Sequence, residues 1–248
     1  MTSNRFFAPT IDPDSPLVFL EGEEHHHLRS VARVTSGEKV YLFDAQGISY
    51  LARVEEVGET RTKLHLLKRQ ESIYPRVKIT LAPSILRRKK IEFLLQKAVE
   101  LGVSRFVPVI STRSIAKMEA GGERKIERWQ RIVREAVKQS GNPWLPSVLP
   151  PLSLESFVLQ EKAEIKLFLH ENRGKYLRDI LLQENGKRYR KPPSSVLILI
   201  GPEGGWTDKE AELILGHGFE EVNLGKNTLR SETAALCSLA LISHFWNL

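Results

Sequence analysis

The sequence predicts an α/β protein, with a mainly parallel sheet in residues 73–248 preceded by a small β-barrel in residues 1–72. Three observations predict it. Short apolar, β-branched runs occupy the first 70 residues with glycines between them. From Val77 onward, strand-like and helix-like patterns alternate, the order that builds a parallel sheet with helices on both faces. Residues 196–200 (Val, Leu, Ile, Leu, Ile) run directly into Gly201 and Pro202, as a strand buried on both faces does.

In the first domain, 18–20, 40–43, 50–54 and 63–67 read as strands, with Gly22, Gly37, Gly47 and Gly58 in the turns. Closely spaced strands without long helices close into a small barrel. His25, His26 and His27 are adjacent. On a helix their imidazoles point about 100° apart and do not converge on one ion, so no metal is expected.

Residues 70–76 form the junction, and 77–82 is the next strand. Helix 87–101 carries the apolar stripe Ile91, Leu94, Leu95, Ala98 and Leu101 and ends at Gly102. Strand 106–110 contains Pro108, which implies an edge or an irregularity. Helix 123–140 turns Ile126, Trp129, Val133, Ala136 and Val137 inward, and arginines and lysines cover much of the rest. A strand at 165–170, a helix near 175–184 and a polar loop at 186–195 lead back to strand 196–200.

Beyond it, Thr207 and Glu210 make a capping box for a helix ending near Gly216 or Gly218. A short strand at 220–224 breaks at Gly225. Ser231 is placed to cap a final helix in which Ala234, Ala235, Leu236, Leu239, Ala240, Ile242 and Phe245 leave little polar face. Such a helix is buried in its own domain or against another subunit.

Charge is uneven along the chain. Residues 1–74 hold nine Lys and Arg against eleven Asp and Glu, whereas 86–138 hold fourteen against six. A basic region of this kind suits nucleic acid or forms a solvated helix face. No apolar run reaches bilayer length and the N-terminus lacks a signal-peptide core, so no membrane partner is expected. The lone cysteine, Cys237, reads as a buried small hydrophobe in a reducing compartment, and a cytoplasmic protein is expected. Neither a P-loop nor Gly-x-Gly-x-x-Gly follows the first strand of the second domain, so the usual nucleotide fingerprints are missing.

Gly201, Pro202, Glu203, Gly204 and Gly205, followed by Leu224, Gly225 and then Leu229, Arg230, Ser231, Glu232, Thr233 and Ala234, closely resemble the RsmE-type rRNA uridine-N3 methyltransferase family of the SPOUT superfamily. The resemblance extends to residues 97–103, 106–108 and 135–146, to Arg33 after the histidines and to Arg5. It implies a PUA-like barrel that holds RNA and a SPOUT domain whose C-terminal chain is threaded into a deep trefoil knot. It also implies S-adenosyl-L-methionine as cofactor, 16S rRNA of the small ribosomal subunit as substrate, and a homodimer. One departure is Asn142, which stands where many members carry Arg.

By the same resemblance the cofactor touches Leu169, His170, Glu171, Ile200, Gly201, Pro202, Leu224, Gly225, Asn227, Thr228 and Leu229. Arg5, Arg33, Arg87, Arg131, Arg134 and Lys138 are expected at RNA phosphates. Uracil N3–H is weakly acidic, so its proton must be removed or the developing anion stabilised. Arg230 fits the second task, and its ordinary alternative is a salt bridge to Glu203 or Glu232. Those two carboxylates are candidate bases or ribose acceptors. Competing readings are a SPOUT enzyme with another RNA target (a ribose 2′-hydroxyl or a tRNA base) and a non-catalytic RNA-binding assembly factor.

Overall fold

The computed structural model describes residues 4–12, 14–44, 47–71, 75–114, 122–142, 144–182 and 192–246. Most of the polar loop at 186–195 and part of the junction at 70–76 lie outside the described residues. The chain divides into two compact units. One comprises Met1–Tyr74 with Arg134–Leu145, the other Pro75–Val133 with Pro146–Leu248.

The first unit contains β1 (Arg5–Phe7), β2 (Leu17–Glu21), α1 (Gly22–His26) running into a π-helical turn (His27–Val31), β3 (Lys39–Phe43), β4 (Ile48–Val57) and β5 (Arg61–Glu71). The sheet order is β1-β3-β4-β5-β2, antiparallel except for β1 on β3. Register shifts between Leu51 and Ala52 and between Val54 and Glu56 disturb the β4–β5 ladder, as bulges that bend and twist a sheet do. Phe6, Leu20, Leu28, Leu42, Val54 and Leu64 fill its core.

The three histidines share no partner. His25 Nδ1 meets the Thr62 hydroxyl at 2.8 Å and its Nε2 the Glu59 carbonyl at 3.1 Å. His26 meets Ser30, and His27 packs edge-on against Phe6. The helix closes with Val34 N–H on the Leu28 carbonyl and with Arg33 in the left-handed region at φ 52°, the position where glycine is usual.

The second unit contains β6 (Lys78–Pro83), α2 (Arg88–Glu100), β7 (Arg105–Phe106), β8 (Val109–Ile110), most of α3 (Gly122–Ser140), β9 (Ser147–Val148), β10 (Leu152–Ser153), α4 (Leu154–Gln160), β11 (Ile165–Leu169), β12 (Lys175–Tyr176), α5 (Leu177–Leu182), β13 (Ser195–Ile200), α6 (Asp208–Gly216), β14 (Glu220–Asn223) and α7 (Ser231–Trp246). Seven strands form one sheet in the order β12-β14-β11-β13-β6-β7-β9, every pairing parallel. β13 lies mid-sheet, and its residues from Val196 to Ile200 are all buried.

Pro108 splits the expected strand at 106–110. β7 stays in the main sheet, while β8 pairs with β10 in a separate ladder. On α2 the buried stripe is Ile91, Leu94, Leu95, Ala98 and Val99, so Val99 takes the place expected for Leu101. A fully buried leucine of this kind contributes roughly 1.5–3 kcal/mol. Trp129, Val133, Ala136 and Val137 of α3 are buried as expected, and Ile126 is half-buried.

Two expectations need correction. Ser231 is the first residue of α7 rather than its cap. Its hydroxyl donates to the Gly201 carbonyl, and Ala234 N–H reaches the Arg230 carbonyl at 2.8 Å. Cys237 is half-buried, because the buried face of α7 runs through Ala235, Ser238, Leu239, Ile242 and Trp246 instead.

Candidate active site

Three strand ends make the site, each followed by a turn that the sequence dictates locally. After β13, Gly201 to Gly205 turns back with Gly205 N–H on the Pro202 carbonyl at 2.9 Å. Gly201 has no room for a side chain, since a Cβ there would lie 2.9 Å from Trp206 Nε1. That indole N–H donates to the Leu169 carbonyl at 3.1 Å, which pins the turn to the end of β11. Arg113 donates to the Gly204 carbonyl at 2.7 Å from the other side.

The capping box of α6 fixes where the turn ends. Glu210 accepts from Thr207 N–H and hydroxyl, both at 2.9 Å, and its second oxygen accepts from Thr112 N–H at 2.8 Å. After β11, His170 Nδ1 accepts from Asn172 N–H at 3.3 Å, so that nitrogen shapes a turn. After β14, Asn223 Oδ1 accepts from Gly225 N–H at 2.7 Å, and Gly225 turns the chain at φ 146°.

These turns and the start of α7 enclose a cavity of about 460 Å³. Leu169, His170 and Glu171, Ile200, Gly201 and Pro202, Leu224 and Gly225, and Asn227, Thr228 and Leu229 all line it. Every residue expected at the cofactor is thus at one wall, together with Arg230 and Glu203. Gly205, Ser231 and Ala234 of the two motifs line it as well, Glu232 does not, and Lys90, Trp206 and Asn223 join it without having been expected there.

The electrostatics differ from the simple alternative for Arg230. Among the described residues neither Glu203 nor Glu232 pairs with it. Both pair with Lys90, whose ammonium lies 2.6 Å from Glu203 Oε1 and 3.3 Å from Glu232 Oε1. The hydrogen bond from Lys90 holds the Glu203 carboxyl below the usual carboxylate range, helped by the charges of Lys90, Arg87 and Arg230 and opposed by partial burial. In return Lys90 is raised, chiefly by its hydrogen bond to Glu203. The other oxygen of Glu232, Oε2, is buried without a hydrogen-bond partner among the described residues.

The residues expected at RNA are divided between the two units. Arg5, Arg33, Arg134 and Lys138 belong to the first, Arg87 and Arg131 to the second. Arg33, Arg87 and Arg131 are exposed. Arg5 is half-buried over the Tyr41 ring, and burial lowers its pKa. Lys138 is buried, its ammonium held 2.7 Å from both Glu24 and Glu135, so it meets a phosphate only by giving up an ion pair. At the departure from the family pattern, Asn142 Oδ1 accepts from Trp144 N–H and closes a local turn.

A parallel sheet with a ligand-sized cavity at its glycine-turned strand ends, preceded by a curled five-stranded sheet, is the architecture of a SPOUT-type methyltransferase with a PUA-like domain. The family model described as RNA methyltransferase domain matches residues 74–243, and that of the RNA methyltransferase PUA domain matches 20–66. The chain is 31% identical over 233 residues to ribosomal RNA small subunit methyltransferase E of Synechocystis sp., covering 91% of this chain and 72% of that protein. Its fold is similar to that of Lpg2936 from Legionella pneumophila, solved with bound SAM (TM-score 0.89, 31% identity, 98% of each chain). It is also similar to ribosomal RNA small subunit methyltransferase E from Neisseria gonorrhoeae bound to S-adenosyl methionine (TM-score 0.88, 34% identity, 98% of each chain). The chain belongs to the RNA methyltransferase family, in its ribosomal RNA small subunit methyltransferase E branch.

Proposed function

We propose that this chain transfers a methyl group from S-adenosylmethionine to N3 of a uridine in 16S rRNA of the small ribosomal subunit. The observation that carries the reading is the convergence of three strand-end turns on one cavity, with Arg230 and Glu203 in its wall. About 460 Å³ is ample for a nucleoside-sized ligand. The wall suits such a ligand in kind, with the apolar Leu169, Ile200 and Leu229 beside the polar Asn227 and Thr228. Among the described residues, its chain neighbours aside, nothing lies within 4 Å of where a Cβ would project from Gly225. The knot implied by the resemblance belongs to this reading. So do the relatives: the Synechocystis and Neisseria proteins are named ribosomal RNA small subunit methyltransferase E, and the Legionella and Neisseria structures hold SAM.

The residues of the three turns would hold the cofactor, which supplies a methyl group on a positively charged sulfur. The protein's own work is to align the uracil and manage the proton on N3. Arg230, at the N-terminus of α7 and in no carboxylate ion pair among the described residues, holds a uracil oxygen and stabilises the anion as it forms. Glu203 and Glu232 are the candidate proton acceptors.

Residues 1–72 are the RNA-holding domain in this reading and 73–248 the catalytic one. Arg5, Arg33, Arg87, Arg131 and Arg134 supply phosphate contacts. Two copies pair through α7, where Leu241 is 49% exposed on the side opposite the buried stripe. The protein acts in the cytoplasm and uses no metal. Mass spectrometry of 16S rRNA nucleosides from a strain lacking the protein tests the reading. Loss of 3-methyluridine supports it, and an unchanged 3-methyluridine content rejects it.

A further inference from the structure

We propose that the face of the β1-β3-β4-β5-β2 sheet turned away from its core is a platform for single-stranded RNA, with Phe19 as the stacking surface for one unpaired base. This rests on the RNA methylation reading above for the nature of the partner, and it names a surface and a kind of RNA that the reading leaves open. The core side of the sheet carries Val18, Val40, Ala52, Val54 and Leu64. Alternation along the strands therefore turns Phe19, Lys39, Arg53, Lys63 and His65 to the other side, where cross-strand pairing sets them in rows.

Residues 1–74 hold nine Lys and Arg against eleven Asp and Glu, yet Lys39, Arg53, Arg61 and Lys63 gather on this one face. Lys39 and Arg53 stand directly opposite each other, both exposed, and Arg53 is in turn opposite His65. Like charges facing each other across two strands destabilise a sheet. Neither Lys39 nor Arg53 is in an ion pair among the described residues. Glu55, at the bulge in β4, is taken up by Lys63 at 2.8 Å and His65 at 3.5 Å. Glu21 and Glu56 lie opposite Arg61 and Lys63, so the Lys39–Arg53 end is the cationic one. A cationic pair that costs the fold stability suits a polyanion.

The aromatic side chain decides which polyanion. Phe19, on the edge strand β2, is 45% exposed. The Arg61 guanidinium leans over its ring, Cζ 4.7 Å from the centroid, and is in no ion pair among the described residues. An exposed ring with a cation beside it, next to charges that track a backbone, is the arrangement on which unpaired bases stack. A duplex keeps its base faces stacked inside and gains nothing from the ring. The single strand is the occupant that uses both features.

The test measures binding of the whole protein to a labelled oligouridine of about 12 nucleotides, and to an RNA duplex of the same length, across a range of salt concentration. Phe19→Ala is expected to weaken single-strand binding about tenfold without changing its salt dependence, since stacking releases no counterion. Phe19→Trp restores the affinity, and duplex binding stays within about twofold of the parent in both variants. The double variant Lys39→Gln, Arg53→Gln is expected to lower the salt slope for the single strand by up to about 1.4. Arg53→Thr relieves the like-charge pair and is expected to raise the melting temperature in low salt by about 1–3 °C while weakening binding, a combination that a purely structural arginine does not give. S-adenosylhomocysteine affinity stays parental throughout, which separates this face from the cavity. Parental single-strand affinity in both Phe19→Ala and the double variant overturns the platform, as does a parent protein that binds neither RNA. An equal loss for single strand and duplex in Phe19→Ala overturns the assignment to an unpaired base. A parent protein that binds RNA through this face yet makes no 3-methyluridine overturns the methyl-transfer reading instead.

Discussion

The hydroxyl of Ser231 donates to the carbonyl oxygen of Gly201 at 2.9 Å, joining the first turn of α7 to the glycine turn 30 residues earlier. Ser231 follows Arg230 directly, so this bond sets where the guanidinium emerges relative to the cavity. Ser231→Ala is expected to destabilise the protein by about 1–3 kcal/mol, because the Gly201 carbonyl loses its donor. S-adenosylhomocysteine affinity should fall severalfold with it. Thermal melting and calorimetry measure the two effects, and unchanged values in both show that the tie does not shape the site.

Gly201→Ala should act on the same turn by crowding. The new Cβ would sit 2.9 Å from Trp206 Nε1, which already donates to Leu169, so turn or indole must move. A loss of about tenfold or more in S-adenosylhomocysteine affinity is expected, equivalent to about 1.4 kcal/mol. Parental affinity in a folded Gly201→Ala protein contradicts this.

Glu210 gives the turn a pH dependence. Burial pushes its carboxyl up, but hydrogen bonds from Thr112 and Thr207 outweigh burial and hold it below the usual range. A depressed folded-state pKa stabilises the protein above the unfolded-state value, and that gain is lost as pH falls through the folded-state value. Glu210→Ala should therefore cost about 2 kcal/mol near neutrality. The gap in melting temperature between parent and variant should narrow as the solution is acidified, and a gap that widens contradicts the assignment.

α7 separates folding from assembly. Leu239 is fully buried within one chain, so Leu239→Arg should unfold the second unit. Leu241→Arg, at an exposed position, should leave the melting of the chain intact and convert a dimer to a monomer by light scattering. A parent protein that is monomeric at micromolar concentration removes the dimer from the account.

Arg230 and Arg87 separate chemistry from RNA holding. Arg230→Ala should leave RNA affinity nearly intact and cut the methylation rate by roughly a hundredfold, the cost of one preorganised electrostatic group. Arg87 is exposed and makes no side-chain capping bond to α2, so Arg87→Ala should leave the fold alone. It should weaken RNA binding modestly and reduce the salt slope by about one at most. The reverse pattern exchanges the two roles.

Much of the fold was legible because its signals are periodic or punctuated. The apolar run ending at Ile200 and the Thr207–Glu210 box carry local information that tertiary contacts left unchanged, and on α2 four of the five expected stripe residues are buried, with Val99 in place of Leu101. β1, β9, β10 and β12 were not legible, since strands of two or three residues are too short to show a period. Nor was α4, seven residues long with a serine cap at Ser153 and no charge pattern. The cavity wall was legible from motif resemblance, since glycines and apolar strand ends carry no chemistry of their own. Lys90 was missed because it reads as one more cation in a basic helix; only its position between Glu203 and Glu232 distinguishes it.

The most direct measurement is to incubate the purified protein with small subunits from a strain lacking it and S-adenosylmethionine carrying an isotope-labelled methyl group, then digest the 16S rRNA and identify the labelled nucleoside by mass spectrometry. The expected result is label in 3-methyluridine at a single site. Label in a 2′-O-methyl nucleoside, in another base, or in no nucleoside contradicts it.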